Sequence, residues 1–263
     1  MEPFFPEGLR PSTMEERESF YMEEFGKPHI NRLNYRWDKP VLALDVGTET
    51  TRYRRTFKEE LGKKVYLREY NDLNHLLEKV RRHVPETLYY DTRSYDADPR
   101  QTNSIWEKPS GKQLMFSVTP DQVECDRCDK VKSLKKGKRL AKHTFCEECF
   151  KETAEKADAL RKFMKRNFDY VESFFVGREF HVHILDNEGF EIEETHRDVM
   201  VSKLYERFPL DKEFSSSKNH LAIMPGSLNG ITGRKVVKVK SHEFKMPEKI
   251  LFDKSKPGYL KKE

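Results

Sequence analysis

Apolar and polar positions along the chain change period repeatedly, and each change marks a predicted element. Ser12 and Thr13 precede Glu15 and Glu16, so two overlapping capping boxes open a helix through about Phe25. Val41–Leu44 and Arg52–Phe57 read as short strands joined by a Gly-Thr turn, and Val65–Leu67 as a third. Asp72 to Arg82 has the spacing of a helix, ended by Pro85. Thr87–Tyr90 and Leu114–Val118 alternate as strands, with a turn-rich link between them. Thr153–Asn167 is the strongest helix, because Ala157, Leu160, Phe163 and Met164 fall at helical spacing. Val171–Phe175, Phe180–Leu185 and Phe190–Ile192 read as strands, followed by a helix from Thr195 to about Phe208. Leu221–Met224 and Lys235–Val239 are late strands. No repeat, low-complexity tract or clean linker interrupts this order. Residues 1–263 are therefore read as a single domain of interleaved helices and strands.

Composition adds a charge argument. The 263 residues include 36% hydrophobic and 36% charged positions, enough apolar content for a core beneath an unusually charged surface. Fifty Lys and Arg against 45 Asp and Glu leave a net charge of +5. That excess is concentrated: the run KVKSLKKGKRLAK from Lys130 to Lys142 has no acid. Lys135, Lys136, Lys138 and Arg139 at its centre suit a phosphate backbone, while a solvated loop is the commoner meaning of such a run. No apolar stretch approaches ~18 residues, so no membrane span is expected. The start MEPFFPEGLRP lacks the basic and apolar parts of a signal peptide, which predicts a cytoplasmic protein.

The four cysteines form two CxxC pairs: Cys125 with Cys128 and, after 17 intervening residues, Cys146 with Cys149. Each pair can aim two thiolates at one tetrahedral ion, and the spacing fits a zinc ribbon. Four thiolates close the coordination sphere, so the expected role of zinc is structural, bracing the basic loop within a knuckle at residues 122–152. Elsewhere, Leu42-Ala-Leu-Asp45-Val-Gly47-Thr48 looks like the first phosphate loop of sugar kinases and actin-like ATPases. No second such loop follows, and an ordinary hairpin is the better reading.

Several segments in sequence resemble the small, catalytic subunit of archaeal and eukaryotic-type DNA primases. Met14-Glu-Glu-Arg-Glu-Ser-Phe-Tyr resembles the opening helix. Lys39-Pro-Val-Leu-Ala-Leu with Arg52-Tyr-Arg-Arg-Thr-Phe57 is similar to a REFAF-type strand and its partner. Val84-Pro-Glu-Thr-Leu-Tyr-Tyr-Asp, then Tyr95 and Pro99, looks like APxxxYxS…YxxP. Leu114-Met-Phe-Ser-Val-Thr-Pro-Asp121 sits at the LxFDIDxxD strand, and the cysteine pairs come next, in the family's position. Val176-Gly-Arg-Glu-Phe-His181 resembles SGRGxH, Leu210-Asp211 the third-Asp segment, and Met224-Pro-Gly-Ser227-Leu-Asn229-Gly-Ile-Thr-Gly233 resembles PxSxHxKTG. The resemblance runs from about Met14 to Val239.

It implies an α+β fold: a primase-type mixed sheet flanked by helices, with the zinc knuckle inserted. It also implies that two divalent ions would be held by carboxylates at Ser117, Thr119 and Asp211, and that Arg178 and His181 belong to a nucleotide pocket. This chain departs at the decisive positions. Ser117 and Thr119 stand where an Asp-x-Asp is expected, leaving Asp211 as a remnant, and neutral hydroxyls cannot balance two divalent cations. Val176, Glu179, Ile223 and Asn229 also replace pocket residues. The resemblance therefore implies a pseudoenzyme of DNA replication or repair that binds DNA or RNA. Its partner would be a primase large subunit or another replication protein. The rival reading is an active primase-polymerase with unusual ligands, for which magnesium or manganese would be needed. A third is a zinc-ribbon nucleic-acid-binding module unrelated to primases.

Overall fold

The computed structural model describes residues 9–31, 41–46, 65–67, 70–95, 109–125, 145–216 and 220–261. Its helices are α1 (Met14–Glu23), α2 (Lys27–Asn31), α3 (Leu73–His83), α4 (Glu147–Met164), α5 (Asn187–Glu191), α6 (Glu194–Tyr205), α7 (Lys212–Ser215) and α8 (Pro247–Lys254). Its strands are β1 (Leu42–Asp45), β2 (Val65–Leu67), β3 (Thr87–Asp91), β4 (Arg93–Ser94), β5 (Gly111–Lys112), β6 (Met115–Val118), β7 (Val171–Phe175), β8 (Phe180–Ile184), β9 (Leu221–Ile223) and β10 (Val237–Lys238). The segment 52–57, expected as a strand, lies outside the described residues. No described helix is long and apolar enough to cross a membrane.

The chain divides into two compact units, each with its own four-stranded sheet. One comprises Arg10–Ser110, His220–Val236 and Lys256–Glu263. Its strand order is β2-β1-β3-β9, with Leu42 opposite both Leu67 and Tyr90 and every pairing antiparallel. Of the two possible capping boxes on α1, the fold uses the second: Glu16 N donates to Thr13 Oγ1 at 3.3 Å and Thr13 N to Glu16 Oε2 at 2.7 Å. Helix α3 buries Leu76, Leu77 and Val80 and starts at Asp72, whose Oδ1 accepts from Asn74 N and His75 N. It stops at Val84, which sits at φ 46° in the left-handed region. The following Pro85 disfavours helical backbone at Val84, so the chain leaves the helix there despite the strain on a β-branched residue.

The other unit comprises Met1–Leu9, Gly111–Asn219 and Val237–Ser255. Its strand order is β10-β7-β8-β6, again antiparallel throughout, where the resemblance implied a mixed sheet. Helix α4 covers one face through Cys149, Phe150, Ala154, Ala157, Leu160 and Met164, all buried. Phe150 lies at the centre of an aromatic cluster, with ring centroids 5.6 Å from Phe175, 5.5 Å from Phe180 and 4.7 Å from Phe252 of α8. Each such ring contributes roughly 1.5–3 kcal/mol on burial. Strand β8 is buried on both faces: Phe180, Val182 and Ile184 belong to this core, and the alternate positions are His181 and His183.

Two local expectations differ. Residues 190–192 end a short helix, α5, rather than forming a strand. Phe190 and Gly189 are the buried members of that turn, and a Cβ on Gly189 would meet Ile184 Cγ2 at 2.7 Å. Helix α4 begins six residues before the expected start, because Cys146 is its N-cap and the second cysteine pair forms its first turn.

Candidate functional site

The β7–β8 connection is a two-residue hairpin. Phe175 pairs with Phe180 and Val176 N donates to Glu179 O at 3.0 Å, leaving Gly177 and Arg178 in the turn. Gly177 has φ 96°, and a positive φ at the first turn position alone is the type II′ geometry that suits a twisted hairpin. This turn fixes where Arg178, Glu179 and His181 emerge.

The pairing then builds a row across one face of the sheet. Phe174 is opposite His181, and His181 is opposite Ser117. Asp211 follows: Val118 bridges Leu210, and Asp211 N donates to Ser117 O at 2.9 Å. Thr119 N donates to Pro209 O at 2.9 Å in the same ladder. Ser117, Thr119, Asp211, Arg178 and His181 are thus brought together from three separate segments.

Helix α7 closes over this row. Phe214 packs on His181 with ring centroids 4.3 Å apart, and Ser117 N donates to Ser215 Oγ at 3.1 Å. Ser117 is 0% and His181 1% exposed. Among the described residues, Ser117 Oγ and His181 Nδ1 have no hydrogen-bond partner.

Each nearby carboxylate has an assigned structural partner. Asp211 is the N-cap of α7, its Oδ1 accepting from Phe214 N at 3.0 Å. Glu179 Oε1 meets His181 Nε2 at 3.3 Å. Burial would push the Glu179 carboxyl up. The hydrogen bond and charge of His181, the charge of Arg178 and a hydrogen bond from Thr119 outweigh that and hold it down at about 2. Asp121, in the 3₁₀ turn Pro120–Gln122, forms an ion pair with Arg178. The Arg178 guanidinium also sits 6.0 Å from the Phe145 ring centroid. The pairing of Asp121 with Arg178 is signalled by no local motif, since the two lie 57 positions apart on different elements.

The cysteine site is separate. Cys125 Sγ lies 3.7 Å from Cys146 Sγ, and Cys146 Sγ 3.6 Å from Cys149 Sγ, with all three sulfurs within 4.8 Å of one another. A disulfide requires about 2.05 Å. Four sulfurs about 2.3 Å from a tetrahedral ion would instead stand about 3.8 Å apart. The three described thiols therefore fit a metal ion's ligand shell. Cys128 lies outside the described residues, as do Lys135, Lys136, Lys138 and Arg139. Phe145 and Phe150, both buried, flank Cys146 and tie the site to the core.

No protein-family model matches the chain. It is 28% identical over 242 residues to an uncharacterized DNA primase small subunit-like protein of Archaeoglobus fulgidus, a match spanning 88% of this chain and 85% of that one. The polymerase domain of Mycobacterium tuberculosis ligase D, solved in complex with DNA, superposes with a TM-score of 0.51. That match covers 89% of this chain and 83% of the domain at 12% identity, so the two share a fold. The order of motifs and the archaeal relative agree in their likeness: the chain is similar to a DNA primase small subunit-like protein and shares the fold of the ligase polymerase domain.

Proposed function

We propose that this protein binds nucleic acid in DNA replication or repair and has lost primer synthesis. The observation that carries the reading is what occupies the Ser117 row. A two-ion polymerase site needs several carboxylates free to neutralise the cations and hold them in line with a triphosphate. Ser117 and Thr119 are neutral and buried. Asp211 caps α7, Glu179 is bound by His181 and Thr119, and Asp121 is paired with Arg178. Phe214 lies on the His181 ring. These residues do not fit a pair of divalent cations, and opening the site would cost an N-cap and a half-buried ion pair.

Binding needs none of that chemistry. The basic run at residues 130–142 and the DNA-bound state of the ligase polymerase domain support a nucleic-acid ligand. Zinc on Cys125, Cys128, Cys146 and Cys149 would hold the base of that run to the core. It would supply cross-linking and no open coordination position. A primase large subunit is the protein partner the relationship favours.

The test is incubation with template, nucleotides and Mg²⁺ or Mn²⁺, alone and with a primase large subunit. No metal-dependent product is expected. Robust synthesis that disappears in Asp211→Ala would replace this reading with an active enzyme using unusual ligands.

A further inference from the structure

A second polar feature lies in the same unit but away from the Ser117 row. It is a cleft of about 360 Å³, within the range of small-ligand sites. Its walls are the C-terminal end of α4 (Arg161, Lys165), the start of β7 (Tyr170, Ser173) and the segment from Lys238 to Ser241. Side chains alternate along a strand, so Ser173 and its neighbour Phe174 face opposite sides of the sheet. Phe174 is in the His181 row and Ser173 is opposite Val182 of the α4-side core. The cleft is therefore not part of the site described above.

Its charges are unequal in availability. Four cations line it, Arg161, Lys165, Lys238 and Lys240, against two acids, Asp169 and Glu172. Arg161 is held by Asp158 at 2.6 Å and Lys238 by Glu172. Lys165 and Lys240 are exposed, and among the described residues their ammonium groups have no ion-pair partner. Two further groups lack a structural occupation. Ser173 is 1% exposed and its hydroxyl has no hydrogen-bond partner among the described residues. Tyr170 is 70% exposed, the most exposed large hydrophobic side chain among the described residues. Its backbone is nevertheless fixed, with Tyr170 N donating to Asp186 Oδ2 at 3.0 Å and Leu185 N to Tyr170 O at 2.8 Å. A rigidly mounted exposed ring beside uncommitted ammonium groups is the pairing that single-stranded nucleic acid uses: bases stack and phosphates find cations.

We propose that this cleft binds one nucleotide unit of a single-stranded nucleic acid, its phosphate between Lys165 and Lys240 and its base on Tyr170. The assignment rests on the nucleic-acid-binding reading and adds a binding region to it. The full chain is titrated with a fluorescein-labelled oligo-dT by anisotropy across a salt series. Tyr170→Ala is expected to weaken binding by about ten-fold with the salt dependence unchanged. Lys165→Gln with Lys240→Gln is expected to flatten log K against log salt by about 0.7 for each phosphate that the variant no longer neutralises. Both changes are at exposed positions, and unchanged melting curves confirm intact folds. Wild-type binding in both variants overturns the cleft while leaving nucleic-acid binding in place. No binding by the unaltered protein at any salt concentration overturns both. Displacement of the oligonucleotide by equimolar free nucleoside monophosphate overturns the strand assignment in favour of a mononucleotide pocket.

Discussion

Asp211 donates its backbone amide to the Ser117 carbonyl at 2.9 Å while its carboxylate accepts from Phe214 N at 3.0 Å. The backbone geometry that brings a strand position and a third carboxylate together is thus present, but the carboxylate serves α7 and its partner on the strand is a hydroxyl. Such a ladder depends on main-chain hydrogen bonds and not on side-chain identity.

This arrangement separates two roles for Asp211. Asparagine caps helices about as well as aspartate but is a poor substitute for an anionic metal ligand. Asp211→Asn is therefore expected to melt within a degree or so of the unaltered protein, while Asp211→Ala loses about 1 kcal/mol. Calorimetry with and without Mn²⁺ checks this. A Mn²⁺-dependent stabilisation that Asp211→Asn removes would assign the carboxylate to metal instead.

The cysteine site predicts about one zinc per chain by elemental analysis. Cys149→Ser removes a buried thiol beside Phe150. Loss of the metal with at least about 3 kcal/mol of stability, roughly 6–12 °C in melting temperature, is the expected outcome. Cobalt replacement should give thiolate-to-metal charge-transfer absorption that the variant lacks. A metal-free protein with unchanged stability in Cys149→Ser would reduce the cluster to packed thiols.

The parts of this architecture that are legible in the sequence are those in which the signal is local. The two CxxC pairs anticipate that Cys125, Cys146 and Cys149 cluster, and the spacing of Ala157, Leu160 and Met164 announces the face that α4 buries. The order of motifs anticipates that Ser117, His181 and Asp211 meet. Residues 190–192 read as a strand in the sequence because an apolar-polar alternation three residues long fits a strand and a helix end equally well. Helix α8 does not stand out, although Pro247 at its first turn is a start signal. Apart from Pro247, its buried face is only Leu251 and Phe252, too little for a period. The engagement of Asp121 by Arg178 is out of reach, since the partners are 57 positions apart and the ion pair exists only once β6 and β8 are paired.

The basic run tests the nucleic-acid reading from the other side. Reversing Lys135, Lys136, Lys138 and Arg139 to glutamate should abolish oligonucleotide binding at about 0.15 M salt. The unaltered protein should lose affinity steeply and linearly in log salt. Equal affinity in the reversed protein would make the run a solvated loop.

Glu179 supplies a pH signature that depends on its surroundings. Its carboxyl is held at about 2 in the fold against an ordinary 4.5. A depressed carboxyl stabilises the folded state fully above the unfolded value and loses that contribution as pH falls from about 4.5 towards 2. The difference corresponds to about 3 kcal/mol at neutral pH. Glu179→Gln should therefore be less stable than the unaltered protein at pH 7, and the gap should close as pH falls through that window. Buried His183 acts in a different range. Burial and then the charge of His181 push it well below 6.5, so the fold loses stability as pH falls below about 6.5 and the unfolded chain takes up the proton. That loss sets in at higher pH than the Glu179 window, so the closing of the gap is read below pH 4.5. Urea unfolding of the pair at pH 7, 5.5, 4 and 3 makes the measurement. A gap that stays constant across the series would mean that Glu179 contributes through packing, and that its charge is not what holds the hairpin turn against His181 and Arg178.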